Sequence, residues 1–286
     1  MFPSTDRAAV NADALAARTR SMAHRLLSGA GSASLLAYRL SPDEFTASIA
    51  HGLTRSGQFV VAGRPDPSDP VTTVDAGEPI DVRVDLLKES PDPAVRLVAA
   101  TVHALGVLRW LAPGEARRLY AWGELPREVA DLVEDGRGRL GVIDIERVVL
   151  RDSLGVTPMD FEDLVGTIVN DRPQAFPGAD DEWNAYDLVA SVSETHLAEM
   201  CRSVDTGAIP GAICWRRPTM HTCDHTLGHV FLADIDSTGV TLMSVREDET
   251  LAAFAAFRRP ATTLDDLAVQ VSCLIEDSVP DSSPRL

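Results

Sequence analysis

Apolar residues along this chain switch repeatedly between helical spacing and strict alternation, and the switches mark its elements. In "DALAARTRSMAHRLLSGAG", Leu15, Met22 and Leu26 recur at helical spacing, and Gly29 with Gly31 ends the run. This predicts an amphipathic helix, followed by a strand in "SASLLAYRL". "SPDEFTASIAHGLTRSG" places Phe45, Ile49 and Leu53 at steps of four, behind Ser41 as N-cap and Pro42 in a first turn, and predicts a second helix. Strands follow. "GQFVVAG" is short and β-branched, and "PIDVRVDLL" sets Ile80, Val82, Val84 and Leu86 against Asp81, Arg83 and Asp85. "AVRLVAATVHALGVLRWL" predicts two strands or one long bent strand. "GEARRLYAW" and "LPREVADLVEDG" predict helices, and "LGVIDIERVVLRDSLGVTPM" returns to strand. Many alternating strands with few short helices predict a small β-barrel over residues 1–165.

A linker is expected at 166–181, centred on the proline- and acid-rich "NDRPQAFPGADD". Residues 182–278 form the second expected domain. "DEWNAYDLVASVSETHLAEMCRSV" predicts one strong helix whose apolar stripe runs through Val189, Val192, His196 and Met200. Residues 205–228 look irregular. "HVFLADIDSTGVTLMSV" predicts a hairpin turning at "DSTG". "TTLDDLAVQVSCLIED" closes the domain as a helix, with Thr263 and Asp266 spaced as a capping box. The second domain therefore reads as helix–hairpin–helix, the fold class as α+β, and residues 279–286 as a disordered tail.

Composition narrows the function classes. A chain of 286 residues suits two domains. A net charge of −17 argues against nucleic acid as a partner. No run of 18 apolar residues occurs, and the N-terminus lacks an apolar signal centre, so the expectation is a cytoplasmic protein without a membrane partner. The cysteines Cys201, Cys214, Cys223 and Cys273 show no paired framework. Lys88 is the only lysine. Arginine suits capture of carboxylate or phosphate, although a compositional bias toward arginine explains the same count. G-x-S-x-G, P-loop and H-E-x-x-H motifs are absent, and the one G-x-G-x-x-G string, at 136–141, leads into the strand-like "LGVIDIERVVL" instead of opening a helix, as a dinucleotide fingerprint would.

Three stretches of the second domain carry a family resemblance. "SETHLAEM" stands where one family reads N-A-D-H-A-D-A-L, "ADIDSTGVTLM" where it reads I-D-x-x-G-F-D-L, and "AAFRRPATTLDDL" where it reads R-x-x-F-x-x-P before a last helix. The domain resembles the C-terminal domain of HugZ-type haem-utilisation proteins, shared with the chloroplast glutamyl-tRNA-reductase-binding protein. The resemblance implies that the first domain is an FMN-binding-like split β-barrel and that two chains pair as a homodimer. It implies haem or another tetrapyrrole as ligand, with His196 at the position of a haem-ligating histidine. Thr195 replaces the family's Asp, and "DSVPDSSPRL" lacks the histidine-bearing tail of haem-degrading members. Residues 205–228 are an insertion relative to the family.

That insertion holds "MHTCDHTLGHV", with His221, His225 and His229 at steps of four and Cys223 between them. Extended, His221, Cys223, His225 and His229 share a face and form a candidate zinc set, to which Cys214 could add a thiolate. The same histidines are candidate haem ligands, opposite His196 or in its place. A polar surface loop, and for His196 a core-edge histidine, are the plain alternatives. In the barrel, Arg83, His103 and Arg109 are the candidates for contact with a cofactor. Of the R-x-x-Q and H-x-R-N patterns of flavin barrels, H-x-R-N is missing and R-x-x-Q occurs once, as Arg55 and Gln58 before "FVVAG", which leaves FMN the weaker expectation. The expected function is haem binding for haem utilisation: storage, delivery or degradation. If the chain is an enzyme, the resemblance implies a haem-degrading oxygenase with an external reductant. The alternatives are a non-enzymatic regulatory protein of tetrapyrrole metabolism and an FMN-dependent oxidoreductase.

Overall fold

Alternation of buried and outward positions shapes the first half of the chain. The computed structural model describes residues 4–42, 45–171, 176–220 and 225–279. Helix α1 (Ser4–Leu27) precedes β1 (Ser32–Leu36), β2 (Phe45–Leu53), β3 (Phe59–Gly63), the short turn α2 (Pro70–Thr73), β4 (Pro79–Glu89) and β5 (Val98–Trp110). Helices α3 (Pro113–Ala121) and α4 (Arg127–Glu134) lead to β6 (Arg139–Asp152), β7 (Gly155–Asp160) and α5 (Phe161–Asp171). The strand order is β3-β2-β1-β4-β5-β6-β7, and β3 also pairs with β6. Six strands thus close into an antiparallel barrel, with β7 added outside the ring. Ile80, Val82, Val84 and Leu86 of β4 are buried, as are Val102 and Leu108 of β5 and Ile143 and Val148 of β6.

Two strands show how local chemistry bends this wall. β5 is one long strand, and its register with β6 shifts between Ala104 and Gly106. A Cβ at Gly106 would stand 2.6 Å from the Asp144 carbonyl oxygen, so the close approach at this bulge requires glycine. The helix expected around Phe45, Ile49 and Leu53 is instead strand β2, paired with β1 and β3. Steps of four are also even steps, so such a spacing suits a strand as well as a helix, and the β-branched Thr46 and Ile49 favour the strand.

The second half builds a sheet covered on both faces. Helices α6 (Glu182–Ala190) and α7 (Glu194–Asp205) precede β8 (Gly211–Pro218), β9 (Val230–Asp236), β10 (Gly239–Val245), β11 (Glu249–Ala256) and α8 (Leu264–Ser278). The expected hairpin is β9–β10, and it belongs to a four-stranded sheet of order β8-β11-β10-β9. Residues 205–228 are therefore not irregular throughout, because β8 lies within them. Its start is tight: a Cβ at Gly211 would come 2.1 Å from the Phe254 carbonyl oxygen. One expected helix is two, since Ser193 adopts an extended conformation and caps α7, accepting the His196 N–H at 3.4 Å. Thr263 caps α8 as expected, accepting the Asp266 N–H at 3.1 Å. The helical face of the sheet packs Leu197, Met200 and Val204 with Leu242, Leu251, Leu267, Val271 and Leu274.

Contacts divide the chain into two units. One comprises Ala23–Lys88 and Ala100–Gln174; the other comprises Met1–Met22, Glu89–Ala99 and Ala175–Leu286. In the second unit, buried Arg18 donates through Nε to Thr241 Oγ1 at 3.2 Å and lies 5.6 Å from the centre of the Phe254 ring. The open edge of β9 is bridged by Ser90, which donates to the Leu232 carbonyl at 2.6 Å, and by Asp92, which accepts the Leu232 N–H at 3.2 Å. No helix among the described residues is long and apolar enough to cross a membrane. Residues 172–175 of the expected linker and 280–286 of the expected tail lie outside the described residues.

Inside the barrel unit, His51 is 2% exposed and donates through Nε2 to the Leu26 carbonyl at 2.7 Å. Burial lowers its pKa from 6.5 to about 4, against the opposing effect of that hydrogen bond. Burial, with Arg25 nearby, also lowers His24 to about 4. Below pH 6.5 the unfolded chain takes up these protons while the folded chain does not. Stability is therefore full above pH 6.5 and falls as pH drops toward 4. The loss approaches about 3 kcal/mol for His51. Urea unfolding midpoints are expected to fall between pH 7 and pH 4.5, and His51→Gln to flatten that fall; an unchanged slope in the variant would contradict the assignment.

Candidate functional site

On the outside of the barrel, adjacent strands β4, β5 and β6 present their outward positions to one groove. Arg83 comes from β4, His103 and Leu105 from β5, Glu146, Arg147 and Val149 from β6, and Asp160 from β7. These residues and Ala104 line about 570 Å³. Register explains the gathering: His103 lies opposite Val149, and Arg147 opposite Asp160. Leu105 is 61% exposed, an apolar floor left open to solvent.

The polar side of the groove is an ordered chain of contacts. Arg83 forks onto one oxygen of Asp85, with Nε at 2.9 Å and Nη2 at 2.7 Å from Oδ2. The other oxygen, Oδ1, lies 2.6 Å from His103 Nδ1. A carboxylate can only accept here, so Nδ1 carries the proton and Nε2 of the neutral ring keeps its lone pair. The Thr101 hydroxyl is the nearest group to Nε2, at a long 3.4 Å. Arg147 reaches Asp160 Oδ1 at 3.4 Å. Arg83 and Arg147 thus stand on strands either side of β5, roughly 9–10 Å apart across two strand spacings.

The structure brings together Arg83 and His103, and adds Asp85, which had no assigned role. The alternation of β4 put Arg83 and Asp85 on one face, but only the β4–β5 pairing brings His103 to them. Arg109, six residues along β5, ion-pairs with Asp144 and does not line the groove.

The remaining candidates belong to the C-terminal unit. His196 is half-buried in the first turn of α7, off the buried stripe of Leu197, Met200, Cys201 and Val204. Its Nδ1 lies 2.8 Å from Ser193 Oγ. His225 stands exposed in a turn. His229 Nδ1 lies 2.6 Å from Glu194 Oε1, which ties the end of the histidine-rich segment to the start of α7. His221 and Cys223 lie outside the described residues. Cys214 is half-buried on β8. Among the described residues, no group of three or more His, Cys, Asp or Glu is placed to hold a metal ion, so the zinc set finds no support.

No family model matches the chain, and no curated protein matches it. Among solved structures, it is similar to a haem-binding protein from Mycobacterium smegmatis at 14% identity and TM-score 0.48, over 92% of this chain and 97% of that one. A general stress FMN/FAD-binding protein from Xanthomonas citri is similar at 11% identity and TM-score 0.31, over 47% of this chain and 88% of that one. A flavocytochrome from Azotobacter vinelandii is similar at 15% identity and TM-score 0.30, over 51% and 72%. These are likenesses of chain trace; the barrel itself is defined by the strand pairing above.

The thiol of fully buried Cys201 is pushed up to about 12 by burial, partly offset by Arg246. It is therefore a packing residue rather than a ligand or nucleophile. Treatment of the native protein with iodoacetamide at pH 7.5, read by peptide mass, should leave Cys201 unmodified until denaturant is added.

Proposed function

We propose that this chain is a haem-binding protein of haem utilisation, and that the groove on the barrel wall receives the haem. The observation that carries this is the groove's composition: an apolar floor of Ala104, Leu105 and Val149 beside His103, with Arg83 and Arg147 on the flanking strands next to the acids Glu146 and Asp160. A planar ring with two carboxylates needs such a floor for its carbons and cations for its acids. The volume falls within the usual range for a bound cofactor. When bound, haem supplies redox-active iron; the protein binds it, orients it and limits water around it. The resemblance of the second domain to HugZ-type proteins supports haem over flavin, and the missing H-x-R-N pattern points the same way. Storage or delivery requires only this binding, so the reading does not depend on turnover.

The same proposal takes the chain as a homodimer. Val156 on β7 is 58% exposed, and with Pro158 and Asp160 it leaves one face of that strand open, as a strand awaiting a partner would be.

Titration with haemin is expected to give a Soret band saturating at one haem per chain, and titration with FMN no change. Leu105→Glu replaces floor by negative charge and should weaken haemin binding roughly tenfold. A wild-type protein that leaves the haemin spectrum unchanged would sink the haem reading, and an FMN response would replace it. Light scattering should give twice the chain mass.

A further inference from the structure

We propose that His103 supplies the axial nitrogen to the haem iron, with Asp85 and Arg83 as the positioning residues behind it. The proposal rests on the haem reading above and deepens it, since it assigns the ligand within the barrel groove rather than at His196.

Among the described histidines, His103 combines three properties. It lines a groove large enough for a cofactor. Its Nδ1–H is held by a carboxylate at 2.6 Å. Its Nε2 is left as the lone-pair nitrogen, with only a 3.4 Å hydroxyl contact to give up. His51 uses Nε2 to donate to the Leu26 carbonyl inside the barrel. His196 has its Nδ1 against a serine hydroxyl, which sets the tautomer less firmly than a carboxylate does. His229 is carboxylate-held but does not line this groove.

The donor set fits the chemistry of a ligating imidazole. Such a histidine gives its other N–H to a carboxylate, which fixes the ring and makes the ligating nitrogen more basic. The anchor is also more shielded than the tip. The Asp85 side chain is 19% exposed and the His103 side chain 46%. Arg83 takes the remaining Asp85 oxygen through two N–H groups, so the carboxylate cannot swing away from the ring.

The test uses the full chain loaded with haemin, read by electron paramagnetic resonance, by the iron–histidine stretch in resonance Raman, and by binding titration. His103→Ala should lose the histidine signature and weaken haemin binding at least ~tenfold, and free imidazole should restore the signature. Asp85→Asn should keep the ligand, move the iron–histidine stretch to lower frequency and cost roughly 10–100-fold in affinity. Arg109→Gln, on the same outward wall but outside the groove, should leave the spectrum unchanged and serves as a control for folding. A His103→Ala protein that keeps the wild-type signature overturns the proposal while leaving haem binding intact. Loss of the signature in His196→Ala alone overturns it in favour of the C-terminal unit. A wild-type protein without haemin binding removes the underlying reading and this one with it.

Discussion

The pairing of β3 with β6 is the contact on which the barrel depends. Val60 meets Val142, Val61 meets Gly141, Ala62 meets Leu140 and Gly63 meets Arg139. Each such hydrogen bond is worth only about 1 kcal/mol net. Its larger effect is topological: neither β3 nor that part of β6 is left as an exposed edge. Closure also decides which side of every strand is inside. With Val82, Val84, Val102 and Val148 committed to the interior, Arg83, Asp85 and His103 have no choice but the outer wall. The groove is thus a by-product of barrel closure, assembled from residues far apart in sequence.

What was legible in the sequence follows from how many faces an element buries. β4 has one buried face, so its alternation declared both the strand and the outward position of Arg83. β2 shows apolar residues at steps of four, a spacing that a helix and a strand both satisfy, and only pairing with β1 and β3 decides between them. β11 went unseen because it is covered on both faces. "LAAFAAF" is apolar throughout and rich in alanine, so it has no period to detect and favours helix locally. The site was partly visible. Arg83 and His103 stood out as chemistry-bearing residues on strands, whereas Asp85 could be recognised as their link only once the β4–β5 neighbourhood was known.

The Arg83–Asp85–His103 chain crosses from β4 to β5, so its geometry is inherited from the sheet and not from a loop. Arg109 and Asp144 repeat a charged pairing further along the same wall, between β5 and β6, without an imidazole. Comparable charges therefore serve different ends on one surface. The first pairing aligns a ring with a free nitrogen, and the second joins two outward side chains. Exposed ion pairs of the second kind contribute little to stability.

The bridging of β9 by Ser90 and Asp92 has a consequence for how the chain can be divided. Those residues lie in the connection between two barrel strands, yet they complete the sheet of the other unit, as Arg18 of the first helix also does. The two units are interleaved along the polypeptide. No single cut separates them intact: a fragment starting at residue 175 would carry the sheet without Arg18 or the Ser90–Asp92 bridge. During synthesis, the segments that finish the second unit emerge before the sheet they finish.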